Sequence, residues 1–285
     1  MYPSNFDYYR AGSVDEVLSL LKQHRNAKLL AGGHSLLPAM KLRLASPGVL
    51  VDISRVKELT GIQASKGVIR IGAMTTHAAI AASTAVPRGL AEAAGGVGDP
   101  QVRNRGTIGG NVCNADPASD LPTILVALGA TFHVVGPKGK RTIASTDFFK
   151  GLFETALSDG ELLTTIEVPA EDKGTGSAYV KLADPASRYA LVGAAVSVST
   201  RGGKCTAASV AVGGLTPAAT KLGSVEKALV GSGLDASALT SAAAAAQADL
   251  AGNVIGDHTA NADYRLAMAS VYVRRAAESA ASRAG

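Results

Sequence analysis

Two glycine-rich stretches concentrate the groups able to hold a ligand. The first is Leu29-Leu30-Ala31-Gly32-Gly33-His34-Ser35. Its apolar beginning reads as a strand that runs into paired glycines and then toward a short helix over 36–42. Such a turn leaves backbone N–H groups unblocked, and together with a helix N-terminus these favour an anion such as a phosphate. Ser35 adds a hydroxyl donor; taken alone, the same stretch reads more readily as a tight strand-to-helix turn. The second stretch runs from Arg103 to Pro122 and holds Thr107-Ile108-Gly109-Gly110-Asn111, Cys113 and Asp120. So many amide, hydroxyl and charged groups with little apolar periodicity are unusual for a connection, although Asn and Asp also suit the turns of a long surface loop.

Common nucleotide, hydrolytic and metal-binding motifs are missing from the chain. Gly96-Val97-Gly98-Asp99-Pro100-Gln101 begins like a dinucleotide fingerprint, but Gln101 stands where the third glycine belongs. There is no Gly-x4-Gly-Lys-Ser/Thr run and no Gly-x-Ser-x-Gly elbow. The histidines at 24, 34, 77, 133 and 258 have no metal-binding spacing. Cys113 and Cys205 stand far apart, so neither an iron–sulfur cluster nor a structural zinc is built from this chain alone. Two lone thiols fit a reducing compartment better than one disulfide.

The elements that must carry these loops follow from periodicity. Ser13-Val14-Asp15-Glu16 reads as a capping box opening a helix to about His24. Strands are expected over 27–31 and 49–53, giving a small β-α-β-like beginning. An alternating strand at 68–71, short helices at 76–82, 89–94 and 123–128, and strands at 131–135, 141–143 and 162–168 continue what reads as α/β alternation. The glycine-dense run 95–111 reads as irregular, and the polar segment 169–176 as a linker. Strands at 177–182, 193–200 and 206–212 precede helices at 224–230, 236–250 and 262–283. A domain boundary is therefore expected near residue 172.

At 285 residues the chain is long enough for two domains. A formal charge of +5 with dispersed Lys and Arg, 4% aromatics and no Trp argues against nucleic-acid binding. No basic region followed by an apolar stretch opens the sequence, and no run of about eighteen apolar residues occurs. A cytoplasmic protein is expected.

Ala31-Gly32-Gly33-His34-Ser35 and Thr107-Ile108-Gly109-Gly110-Asn111, with Asp120 downstream, resemble the paired FAD-binding motifs of the medium subunits of molybdenum hydroxylases. This is the xanthine dehydrogenase family, and the resemblance extends from Tyr2-Pro3-Ser4-Asn5-Phe6 to Val273-Arg274-Arg275. It implies an α+β fold: a two-part FAD-binding domain of the vanillyl-alcohol-oxidase (PCMH) type over 1–172, with subdomains 1–56 and 57–172. A smaller C-terminal domain over 173–285, with a three-stranded antiparallel sheet and helices, would follow. The resemblance places Leu29 to Ser35 and Thr107, Gly109, Gly110 and Asn111 around the FAD pyrophosphate, with Cys113 beside them. It sets Asp120 near the ribose and ribityl hydroxyls and Leu163 near the adenine or its ribose. Lys181 would lie near the flavin ring, and Tyr189 against the isoalloxazine.

What the resemblance implies is an electron relay with no catalytic residue and no metal of its own. Electrons would leave the substrate at a molybdopterin-binding large subunit, cross the 2Fe–2S clusters of a small subunit and reach FAD here. A quinone, NAD or oxygen would then take them, in a dimer of heterotrimers. The sequence around Leu36-Leu37-Pro38-Ala39-Met40 looks closest to the carbon monoxide dehydrogenase branch. Aldehyde or N-heterocycle hydroxylases, a free-standing flavin oxidoreductase of the same fold, and a flavin-free scaffold are the competing readings.

Overall fold

The computed structural model describes residues 2–285. Its first unit is a parallel sheet of β1 (Asp7–Arg10), β2 (Ala27–Leu30) and β3 (Val49–Asp52), ordered β1-β3-β2. Helix α1 (Val14–Gln23) links the first two strands and α2 (Leu36–Lys41) leads to the third. Ser13 Oγ accepts the Glu16 N–H at 3.2 Å, while the Glu16 carboxylate turns back onto the Gly12 N–H at 2.7 Å. Both ends of the expected capping box are thus used, with the return bond one residue further upstream. Strand β1 was not expected, because all four of its residues are exposed and no alternation marks it. It is held by pairing with β3 and by Tyr8 and Arg10, which both donate to the Asp52 carboxylate.

The second unit departs from the expected α/β alternation. Strands β4 (Ile62–Ser65), β5 (Val68–Gly72), β6 (Thr131–Gly136) and β7 (Gly139–Ala144) form a sheet with a later strand, β10 (Leu162–Pro169). The order is β4-β5-β10-β6-β7, and every pairing is antiparallel. Five helices are inserted between β5 and β6: α3 (His77–Ala81), α4 (Arg88–Gly96), α5 (Pro100–Arg105), α6 (Ile108–Asn114) and α7 (Asp120–Ala127). After β7 come the short α8 (Ser145–Phe148) and a hairpin of β8 (Phe149–Gly151) and β9 (Glu154–Thr155).

Helices α5 and α6 correct the irregular reading of 95–111. Asp99 caps α5 through the Val102 N–H at 2.8 Å with Pro100 opening the first turn, and Thr107 caps α6 through the Gly110 N–H at 3.2 Å. The caps were present in the sequence; the glycines that follow them hid the helices.

The connector 170–174 leads to β11 (Thr175–Ala183), β12 (Ala190–Arg201) and β13 (Lys204–Gly213), the three long antiparallel strands expected. A two-residue β14 (Thr220–Lys221) adds a fourth strand at the edge. Helices α9 (Gly223–Leu229), α10 (Ala236–Ala244), α11 (Ala246–Leu250) and α12 (Ala262–Ala284) follow. The single helix expected over 236–250 is divided at Ala245, and nothing in its sequence marks the break.

One face of this C-terminal sheet packs against α9, α10 and α12 around Val196, Val210, Leu239 and Val273. The other contributes Tyr179, Ala195 and Ala211 to the core that holds Leu90 of α4 and Ile124 of α7. Arg283, in the last turn of α12, pairs with Glu92 of α4, and Glu92 also accepts the Tyr179 N–H at 3.2 Å. The C-terminal sheet is thereby seated directly behind the helices that carry the second glycine stretch.

Candidate functional site

A cleft of about 880 Å³ opens between the parallel and the antiparallel units. That volume lies within the roughly 300–1,000 Å³ usual for ligand pockets. Leu29, Ala31, Gly32, Gly33, His34 and Ser35 line it from the first stretch. Thr107, Gly109, Gly110, Asn111, Cys113 and Asp120 line it from the second, with Leu163 and Tyr189 completing the expected set. Leu30 and Lys181 stand behind the wall: Leu30 backs Gly33, and Lys181 backs Asp120.

The first stretch ends β2 and bends at Gly33, whose φ of +75° favours glycine. The backbone N–H groups of Gly32, Gly33, His34 and Ser35 have no hydrogen-bond partner among the described residues. Four successive free amides on a cleft wall form a nest for an anion. Helix α2 has six residues, so the loop amides rather than a helix dipole supply the donors. The His34 ring turns back to the Gly32 carbonyl, 3.0 Å away.

Residues 108–111 of the second stretch have already spent their amides. Ile108 N–H donates to the Thr75 carbonyl, Gly109 N–H to Ala73, Gly110 N–H to Thr107 Oγ1 and Asn111 N–H to the Thr107 carbonyl. Its glycines serve packing. A Cβ on Gly109 would come within 2.6 Å of Ala73 Cβ, and one on Gly110 within 3.3 Å of Ala31 Cβ. Gly32 repeats this from the other side, since a Cβ there would run into the Arg105 carbonyl and the Gly106 Cα. Two of the glycines read from sequence as room for a ligand, Gly32 and Gly110, are room for one loop against the other.

What the second stretch offers a ligand is side chains. Ser119 Oγ donates to Asn111 Oδ1 at 2.7 Å, which leaves the Asn111 NH₂ as its free donor. Asp120 is buried at the start of α7, its Oδ1 accepting from Tyr179 O–H at 2.6 Å and its Oδ2 from Lys181 Nζ at 2.9 Å. Burial pushes the Asp120 carboxyl above the usual carboxylate range, against the pull of Lys181 and Tyr179. Burial, then the neighbouring carboxylate, pushes the Tyr179 hydroxyl well up. Lys181 also donates to the carbonyls of Gly96 at 3.0 Å and Arg188 at 2.6 Å, so all three of its protons are engaged. Burial drives the Cys113 thiol up to about 12, which keeps it a protonated packing group.

Leu163 is buried beside a bulge in β10 that leaves Thr164 out of the register with β6, and Tyr189 sits half-exposed at the rim on the turn 184–189. Sequence reasoning missed Tyr179, although it is two positions from Lys181 on the same face of β11. It also missed His77, buried on the cleft wall. Among the described residues, no group of three or more His, Cys, Asp or Glu is placed to hold a metal ion. None of their helices is long and apolar enough to cross a membrane.

An amide nest and a fixed carboxylate on the wall of one two-part cleft define a site for an anionic dinucleotide carrying sugar hydroxyls. The chain matches the family described as FAD binding domain in molybdopterin dehydrogenase over residues 4–171, and the CO dehydrogenase flavoprotein C-terminal domain over 177–280. It is 43% identical to the carbon monoxide dehydrogenase medium chain of Afipia carboxidovorans, covering 100% of this chain and 99% of that one. It is 37% identical to the glyceraldehyde dehydrogenase medium chain of Sulfolobus acidocaldarius over 97% of this chain and 98% of that one. The reconstituted CO dehydrogenase from Oligotropha carboxidovorans superposes with a TM-score of 0.94 at 40% identity, covering 99% of this chain and 100% of that one. The chain therefore belongs to the FAD-binding medium subunits of the molybdenum hydroxylase family, in the carbon monoxide dehydrogenase-like group, and FAD is its cofactor.

Proposed function

We propose that this chain is the flavin relay of a carbon monoxide-oxidising complex, collecting electrons from the 2Fe–2S clusters of a small subunit while a molybdopterin-binding large subunit oxidises the substrate. The observation that carries the reading is the row of free amides at Gly32, Gly33, His34 and Ser35 in the same cleft as Asp120. Four donors suit a diphosphate, and a buried carboxylate suits hydroxyl donors of a ribose or ribityl chain. The bound flavin supplies the ability to accept one or two electrons.

The chain's own residues hold and orient that group. Gly32 to Ser35 bind the diphosphate, Leu29, Leu30 and Ala31 shape the wall beneath it, and the Asn111 amide donates from the opposite side. Thr107, Gly109 and Gly110 set the second loop at the right distance, with Cys113 packing beside it. Asp120 accepts from the sugar hydroxyls, Leu163 covers the adenosine end and Tyr189 screens the isoalloxazine at the rim. Lys181 works through Asp120, fixing its carboxylate and carrying the compensating charge. We assign 1–172 to the FAD-binding domain, with subdomains 1–56 and 57–172, and 173–285 to the C-terminal domain, supported by the separate sheets on either side of the connector 170–174.

The assembly is a cytoplasmic dimer of heterotrimers at the inner face of the membrane, delivering electrons to a quinone, NAD or oxygen. Two comparisons at 43% and 41% identity, both with carbon monoxide dehydrogenase medium chains, support the substrate. The test is to purify the native complex, measure molybdenum, copper and flavin, and follow flavin bleaching with carbon monoxide and with aldehydes. Bleaching by carbon monoxide in a complex holding all three is expected. Bleaching by aldehydes alone would move the chain to the aldehyde hydroxylases, and bleaching of the isolated chain by a small organic substrate would make it a free-standing oxidoreductase.

A further inference from the structure

His77 opens α3 and is 3% exposed, yet it lines the cleft. Its backbone N–H donates to the Gly106 carbonyl at 3.0 Å, and its ring lies flush against Gly106, where an added Cβ would come within 2.8 Å of both Cδ2 and Nε2. Gly106 in turn is pressed on by Gly32. The imidazole therefore stands one backbone thickness from the row of free amides.

The two ring nitrogens differ. Nδ1 is sealed from solvent and has no hydrogen-bond partner, so Nε2 is the nitrogen left to the cleft. A neutral imidazole carries one proton. Placing it on Nδ1 would bury an N–H with no acceptor, the rarer and costlier orphan. On Nε2 it becomes a donor of fixed direction. Burial, followed by the charges of His34 and Arg103, lowers the ring's pKa to about 4, so the donor is uncharged at neutral pH. The Arg103 guanidinium adds positive charge near this ring.

We infer that His77 is a cofactor-contacting residue, its Nε2–H donating to a diphosphate oxygen of FAD where the two glycine loops meet. The inference rests on the cleft assignment proposed above. His77 thus complements the loop amides with a side-chain donor from the antiparallel unit, binding the cofactor to both halves of the cleft at one point.

The test compares His77→Met, His77→Gln and Gly33→Val in the full chain, using FAD titration of the apoprotein and phosphorus NMR of the bound cofactor. A glutamine amide reaches the position of Nε2, whereas methionine fills the volume without donating. Loss of one bond to a charged oxygen is expected to weaken FAD about ten- to a hundredfold in His77→Met. His77→Gln should recover most of that loss, and the phosphorus resonances should differ between wild type and His77→Met. In wild type, nitrogen-15 NMR should find the Nε2-protonated ring, its proton shifting when FAD is added.

Wild-type affinity and unchanged phosphorus resonances in His77→Met would overturn the inference. So would a His77→Gln variant as weak as His77→Met, or an Nδ1-protonated ring. If Gly33→Val loses FAD while His77→Met does not, the inference alone falls; if Gly33→Val retains FAD, the cleft assignment falls with it.

Discussion

The two glycine stretches look alike in sequence and do opposite work. Residues 31–35 keep four backbone N–H groups unpaired on the cleft wall, whereas residues 108–111 give theirs to Thr75, Ala73 and Thr107. The first is a donor surface. The second is a frame that holds the first in place and presents Asn111 and Asp120. Glycine density alone does not distinguish a ligand cradle from a close-packed seam; the fate of each N–H does.

The largest effect should come from Gly33→Val. A β-branched residue at φ +75° is strained, and its Cβ would meet Leu37 Cδ1 at 2.9 Å. We expect no FAD to copurify, measured as the flavin-to-protein ratio. Full occupancy would show that the first stretch is not the donor surface.

Asp120→Ala should follow. It strips a buried ammonium of its counter-charge, which costs about 3–5 kcal/mol, and denaturant unfolding should register it even in FAD-free protein. A variant as stable as wild type would mean that Lys181 and Asp120 are not coupled as the structure has them.

The third expectation concerns pH. The unfolded His77 ring titrates near 6.5 and the folded ring near 4. Between those values the unfolded state binds the extra proton, so stability falls as pH drops from 6.5 and levels off below 4. The span amounts to about 3 kcal/mol at most. Denaturation of the FAD-free chain across that window should show this slope, and His77→Gln should remove it. The smallest effect belongs to Thr107→Ala, which removes the cap of α6 at a cost of about 1 kcal/mol. FAD affinity should barely change. A loss comparable to that of Gly33→Val would make the second stretch a donor surface too, and the contrast between the stretches would disappear.

Much of this was legible in the sequence, and what was not has physical causes. The long strands of the C-terminal sheet carry clear apolar runs, and fourteen of the sixteen expected site residues line one cleft. Strands β1 and β4 escaped because edge strands with mostly exposed residues leave no alternation to read. The antiparallel order of the second sheet escaped because five helices separate β5 from β6, as a crossover would. Lys181 was expected near the flavin from resemblance, but its engagement with Asp120, Gly96 and Arg188 depends on contacts 61 and 85 positions away and one only 7 away. His77 had no local signal at all. Its significance lies in which of its nitrogens is sealed, a property of packing alone.

The pairing of Asp120 with Lys181 has a consequence in time. A growing polypeptide makes both glycine stretches and the carboxylate well before it makes the cation, 61 residues later. Until β11 has emerged and folded back, the flavin site holds a carboxylate without the charge and hydroxyl that position it. The site that opens at β2 is completed from β11, so maturation of the flavoprotein waits on the strand that carries the cation and the hydroxyl.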